Sequence, residues 1–138
     1  ARRLRLAYAE ASAVEGRVLR ELAQYADAVA SYRRAIREGR GFQPEAHTGL
    51  AIVLEDQGDY AGAVESLRKA VAQLSDTEPV LYQMLGAAYE KLERWKEAVA
   101  AYEKYLELAP DGRLAPAINS IIDQLRQQAA EQQSSTPD

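Results

Sequence analysis

The 138-residue sequence has no cysteine and a single histidine. The first absence excludes disulfides, thiolate metal sites and cysteine nucleophiles, and leaves the redox compartment open. The second excludes a histidine-rich metal centre or a His pair. No apolar run in the sequence approaches the ~18–20 residues of a membrane span, so no membrane insertion is expected. A basic excess is also missing: 17 Lys and Arg stand against 21 Asp and Glu, a net charge of −4. A nucleic-acid binder needs a basic face to displace counterions, so no nucleic-acid partner is expected. The remaining composition, 47% hydrophobic and 28% charged, is ordinary for one globular domain.

The chain opens at Ala1 with a basic cluster, Arg2, Arg3 and Arg5, and no long apolar stretch follows. This does not read as a signal peptide, and the lack of an initiating Met is what an excised fragment or processed chain would show. From Gln127 to Asp138 the composition turns to Gln and Ser and closes on Ser-Ser-Thr-Pro-Asp. Such a stretch cannot bury a core, so a fraying helix end followed by a polar tail over 133–138 is expected.

What is present is a period. Tyr25, Tyr60 and Trp95 are spaced by 35, and so are Ala28, Ala63 and Ala98; Val29, Val64 and Val99; Tyr32, Leu67 and Tyr102; and Pro44 and Pro79. Four parallel ladders in one register mark a tandem repeat. Ala, Leu, Glu, Arg and Gln dominate each unit, and they are strong helix formers. Pro44 and Pro79 suit a first helical turn, where a missing N–H costs little. Gly58-Asp59 reads as a left-handed stop followed by a cap. Its counterparts, Ala23-Gln24 and Glu93-Arg94, do not spell a turn. The pattern predicts helix pairs over 3–22 and 25–38, 44–57 and 60–73, and 79–92 and 95–108. A seventh helix is predicted over 114–132, with Leu114, Ile118, Ile121, Ile122, Leu125 and Ala129 on one stripe. Its other side is polar, as the cap of an open-ended stack requires. Ala28, Ala63 and Ala98 are expected at the close approach within each pair, with Gly86 as the matching notch on the facing helix.

No catalytic constellation accompanies the repeat, so no enzyme, cofactor or metal site is expected. His47 sits at a repeat position that suits packing with a partly wet edge better than proton transfer. Ser12, Ser31, Ser66, Ser75 and Ser120 lie in no nucleophile motif. Gly39-Arg40-Gly41 lacks the spacing of a phosphate loop. Glu55, Asp56 and Asp59 lack that of a calcium loop and read as a solvated helix end. Charge is unevenly placed: residues 1–42 carry +4, residues 43–112 carry −7 and residues 113–138 carry −1. A basic end and an acidic body could attract head to tail at low salt, which keeps a homo-oligomer open.

These residues resemble the tetratricopeptide repeat (TPR) family. The third unit carries Tyr82, Leu85-Gly86, Tyr89, Trp95, Ala98, Tyr102 and Pro110. The second carries Leu50-Ala51, Leu54, Gly58-Asp59-Tyr60, Ala63, Leu67 and Ala70. The first carries Gly16, Leu19, Tyr25, Ala28, Tyr32 and Ala35. The likeness covers residues 9–112. It implies an all-α, right-handed superhelix of three antiparallel hairpins with a seventh, capping helix. The repeats would span 9–42, 44–77 and 79–112, the cap 114–132, and the single domain 1–132. Pentatricopeptide repeats share a 35-residue hairpin period and read single-stranded RNA, but the acidic balance and the Leu-Gly, Tyr, Trp, Ala pattern favour the TPR type. Departures fall at Ser12 and Glu15, where the family shows an aromatic and Leu. Glu15 is expected to sit uneasily in the packing. Tyr105 replaces a small residue, so the last hairpin and the cap are expected to pack unusually.

In the family, the first helix of each hairpin lines a concave groove that holds a partner peptide or helix. By position, this lining would be Arg17 and Arg20 with Glu21; Glu45, Thr48, Ile52 and Glu55; Gln83, Ala87, Glu90 and Lys91; and Ile121 and Gln124 with Ala117 from the cap. Some members grip a peptide's terminal carboxylate with a Lys and an Asn one turn apart. The corresponding pairs here are Ala13 with Arg17, Thr48 with Ile52, and Gln83 with Ala87, so that clamp is absent. The resemblance thus implies a non-catalytic protein-interaction module whose groove suits apolar anchors and some basic residues. The alternatives are a self-associating scaffold and the regulatory domain of a larger enzyme.

Overall fold

The computed structural model describes residues 2–74 and 76–135. Among the described residues seven helices follow one another: α1 (Arg2–Glu21), α2 (Tyr25–Glu38), α3 (Pro44–Asp56), α4 (Tyr60–Leu74), α5 (Pro79–Lys91), α6 (Trp95–Leu108) and α7 (Ala115–Ser135). No strand occurs among the described residues. Pro44 and Pro79 each open a helix, as their missing N–H and fixed φ favour. Asp59 caps α4 by accepting the Gly62 N–H at 2.9 Å. The first six helices end within a residue of their expected bounds. The seventh runs three residues past its expected end, so 133–135 are helical; residues 136–138 of the expected tail lie outside the described residues.

The turn inside each hairpin is the same in all three units, although only one spells it. Ala23, Gly58 and Glu93 take the left-handed conformation, with φ of 59°, 81° and 57°. Each lets the chain fold back so that the N–H of the next residue reaches a carbonyl in the preceding helix: Gln24 to Leu19, Asp59 to Leu54 and Arg94 to Tyr89. These three bonds close the helix ends as a left-handed cap does.

The chain forms two compact units, Ala1–Ser75 and Asp76–Asp138. In the first, α1 pairs with α2 and α3 with α4, and α2 packs on α3. Its core is small and aliphatic: Ala28, Ala35, Ala46, Ala51, Ala63, Ala70, Leu50, Val53 and Leu67 are all buried. In the second, α5 pairs with α6, and α7 covers α6. There Val99, Tyr102 and Tyr105 of α6 meet Ile118, Ile122 and Leu125 of α7.

Ala28, Ala63 and Ala98 have no exposed surface, as their place in the repeat requires. The glycine notches, however, receive tyrosine rings rather than these alanines. A Cβ on Gly86 would stand 2.6 Å from the Tyr102 ring, and one on Gly49 would stand 2.5 Å from that of Tyr32. Gly16 lies against the other side of the Tyr32 ring. A buried ring can lie this close to a helix backbone only where no side chain intervenes. Tyr105 is buried as well, and its hydroxyl reaches the Gly112 turn, again at a position without a side chain.

Glu15 does not enter the packing. It lies on the surface and pairs with Arg34 at 2.6 Å. Arg34 also donates to the Ser12 hydroxyl at 3.1 Å, and Ser12 donates to Glu38 at 3.0 Å. A polar cluster thus joins α1 to α2 at the position where the family shows an aromatic side chain.

Candidate partner-binding site

In the first unit, the expected lining lies on α1 and α3. Thr48, Ile52 and Glu55 are half-buried, and Glu45 and Arg17 are exposed. The Thr48 hydroxyl donates to the Pro44 carbonyl at 2.9 Å, one turn back, which satisfies it within its own helix. Arg20 is not the open cation the charge pattern implied. Its Nε donates to Asp56 Oδ2 at 2.7 Å, tying α1 to α3. This bond, with the nearby negative charge, raises the Arg20 pKa against partial burial. Glu55 and Asp56 are therefore not simply solvated: Asp56 holds Arg20, and burial pushes the Glu55 carboxyl up, helped by the charge of Asp56.

In the second unit, the expected lining lies on α5 and α7. Gln83, Ala87 and Glu90 are half-buried, and Lys91 is exposed. The Tyr102 hydroxyl donates to the Glu90 carboxylate, linking α6 back to α5. Burial first, and then this bond and the Glu90 charge, push the Tyr102 phenol far above its ordinary value. On α7, Ile121 packs against the buried cluster, whereas Ala117 and Gln124 are exposed. Tyr82, on the same helix as Gln83, donates to Asp76. Its phenol is pushed up to about 12, by desolvation and then by Asp76.

Thr48 and Ile52 thus occupy in α3 the repeat positions that Gln83 and Ala87 occupy in α5, and all four are half-buried. Positional reading missed the engagement of Arg20 and Glu90. Their partners, Asp56 and Tyr102, lie on other helices, and the repeat pattern carries no signal for either pairing. His47, expected at a partly wet edge, is 4% exposed. Its Nε2 faces the Gly41 carbonyl at 3.3 Å, and burial holds its pKa below the ordinary value. Among the described residues, no group of acidic or histidine side chains is placed to hold a metal ion, and no helix is long and apolar enough to cross a membrane.

Two tetratricopeptide-repeat family models match the sequence, over residues 13–79 and 79–111. No curated protein matches it in sequence. Among solved structures, the chain is similar to the first TPR domain of human RPAP3, with a TM-score of 0.77 at 23% identity, over 95% of this chain and 99% of that one. It is also similar to the first TPR of Spaghetti (RPAP3) bound to an HSP90 peptide, with a TM-score of 0.75 at 24% identity, over 89% and 94% of the two chains. A third is the type III secretion chaperone SycD of Yersinia enterocolitica in complex with a peptide of the translocator YopD, with a TM-score of 0.76 at 14% identity, over 87% and 93%. At these identities the likeness establishes the fold. With repeat matches running from residue 13 to residue 111 and hairpins that carry the repeat ladders in register, this chain belongs to the tetratricopeptide repeat family.

Proposed function

We propose that this chain is a protein-interaction module that holds a peptide or helix of a partner on the first helices of its hairpins. One observation carries the reading. Thr48 with Ile52 on α3, and Gln83 with Ala87 at the same repeat positions on α5, are each a half-buried and uncharged pair. Half-exposed neutral positions one turn apart, in register on successive repeats, suit the apolar anchors of a docked segment. Glu45 and Glu55 share α3 with the first pair, Glu90 and Lys91 share α5 with the second, and Arg17 and Arg20 lie on α1. Glu90 and Arg20 already have partners within the protein. Glu45 and Glu55 are then the charges best placed to favour basic residues beside the anchors.

Solved relatives are seen with peptides, including one from HSP90 and one from YopD. The positions that would carry a Lys and Asn clamp here carry Thr48, Ile52, Gln83 and Ala87. An acidic chaperone tail is therefore not the expected ligand. The role has no catalytic step and needs no cofactor: a preformed surface buries a partner segment with little ordering cost of its own.

The test is affinity capture from native extract by this chain beside the triple variant Thr48→Arg, Ile52→Arg, Gln83→Arg. A partner held by the parent and released by the variant, with the variant's circular dichroism unchanged, supports the reading. Equal capture by both overturns it.

A further inference from the structure

Exposed apolar side chains are concentrated on one helix. Among the described residues eight large ones are exposed, and six of these lie on α1 or just past its end. Contiguous apolar surface of this kind marks an interaction site.

The row has the period of a helix seam. Leu4, Ala7, Ala11, Val14 and Val18 follow one another at steps of 3, 4, 3 and 4, and all five are exposed. This is the heptad spacing by which two helices pack knobs into holes. The opposite side of α1 is the inward one. Ala9, Ser12 and Gly16 are buried there, Ser12 bonded to Arg34 and Glu38, and Gly16 against the Tyr32 ring. One face of α1 is thus used within its hairpin, and the heptad face is left open.

The flanking charges decide the occupant. Glu10 and Arg17 border the seam on one side, seven residues apart, and both are exposed. Among the described residues neither is in an ion pair. Glu15 borders the seam on the other side. Two copies of α1 laid antiparallel, centred near Ala13, set Glu10 of each beside Arg17 of the other. Symmetry makes that pairing twice. The same register sets Ala11 against Val14 and Ala7 against Val18, so a small side chain meets a larger one in each layer. It also keeps the basic starts of the two helices apart and brings each toward Glu21 of the other. Parallel helices would instead place Glu10 beside Glu15 and the two basic starts side by side, like charge against like.

We propose that a second copy of this chain covers the row, in a two-fold, antiparallel contact of α1 on α1. The same patch serves both copies, so the contact closes at a dimer and does not propagate. It does not rest on the docking reading above, whose anchors lie on α3 and α5.

The test is sedimentation equilibrium of the whole chain from about 1 to about 300 μM. A reversible monomer–dimer equilibrium is expected, with a mass that stops at twice that of one chain. Val14→Glu with Val18→Glu should weaken the dimer at least about thirtyfold. Both valines are exposed, so the circular dichroism of that variant should match the parent. Glu10→Arg alone, or Arg17→Glu alone, should weaken the dimer about fivefold or more, and the two together should restore it. Damage to the fold cannot produce that restoration. A single-chain mass at every concentration overturns the proposal and leaves the row to another protein or to a membrane surface. A dimer that Val14→Glu with Val18→Glu leaves intact also overturns it, by placing the contact elsewhere. So does a dimer that tightens with Glu10→Arg, as a parallel pair would, or one that the double charge swap fails to restore. The triple groove variant, Thr48→Arg, Ile52→Arg, Gln83→Arg, should dimerise as the parent does, which separates failure of this reading from failure of the docking one.

Discussion

Three residues hold the same left-handed turn, and only one of them is suited to it. Gly58 takes φ of 81° at no steric cost, whereas Ala23 and Glu93 hold φ of 59° and 57° against their own Cβ atoms. The hairpin packing on either side imposes the conformation, so glycine should relieve strain there. Ala23→Gly and Glu93→Gly are each expected to raise stability by about 0.5–1 kcal/mol, and Gly58→Ala to lower it by about 1 kcal/mol. Urea unfolding of the three variants checks both directions. The same comparison shows what the sequence could spell. Gly-Asp announces a turn by local chemistry, but Ala-Gln and Glu-Arg carry no such signal, and only the period places the turn in those units. His47 offers a second test at this scale. Burial lowers its pKa from 6.5; Lys69 adds to the shift and the Gly41 carbonyl opposes it. Arg33, Arg37, Glu65 and Lys69 line a pocket beside it. A depressed folded-state pKa stabilises the fold above the ordinary value, and this contribution is lost as pH falls through the folded pKa. Glu55, raised by burial, has the opposite sign: its contribution is present at low pH and lost as pH rises past 4.5. The parent should therefore lose stability on going from about pH 7.5 to about pH 5.5 relative to His47→Gln. Denaturation midpoints that fall equally in both proteins would show that the imidazole is not responsible.

At the scale of elements, the hairpins depend on what is omitted. Tyr102 is 2% exposed and its ring fills the space beside Gly86, so the ring cannot swing out to make room. Gly86→Ala is expected to cost about 1–3 kcal/mol, although alanine is the better helix former. Ala63→Leu should cost about the same, since that position has no free surface. A thermal melt matching the parent for either variant would contradict the packing described. Most elements were legible because two signals coincided, the 35-residue ladders and the proline and glycine punctuation. Where the signals parted, the reading failed. From Gln127 onward the apolar stripe stops, so a fraying end was expected. Gln, Ala and Glu still favour helix there, and α7 continues to Ser135 with its last turns exposed. Glu15 was expected to strain the core because the repeat pattern assigns it an inward position. Its partner, Arg34, lies on the next helix, and pairing across a hairpin leaves no trace in periodicity. The candidate groove was legible to the same extent: positions followed from the repeat, but the engagement of Arg20 by Asp56 and of Glu90 by Tyr102 did not.

For the whole molecule, the uneven charge raised the prospect of head-to-tail self-association, and the two terminal helices bear on it differently. Leu4, Tyr8, Val14 and Val18 form an exposed apolar row along α1, at steps that keep them on one face, and the exposed Leu22 follows just past its end. On α7, Ile118, Ile122 and Leu125 are buried, and Asn119, Ser120, Asp123, Gln124 and Arg126 are exposed. A heterologous contact needs a complementary surface on the other partner, and among the described residues α7 exposes no large apolar side chain to receive the α1 row. Head-to-tail growth would then rest on charge alone, between a segment of +4 and one of −7. Attraction between exposed charges is largely screened at physiological ionic strength, where the Debye length is about 8 Å. We therefore expect no open-ended assembly. Light scattering in about 0.15 M salt should give a mass that does not keep growing as protein concentration rises. A mass that climbs past the dimer with concentration and survives about 0.5 M salt would mean that α7 does hold an apolar contact for the α1 row. It would favour the scaffold role over that of a discrete peptide-binding module.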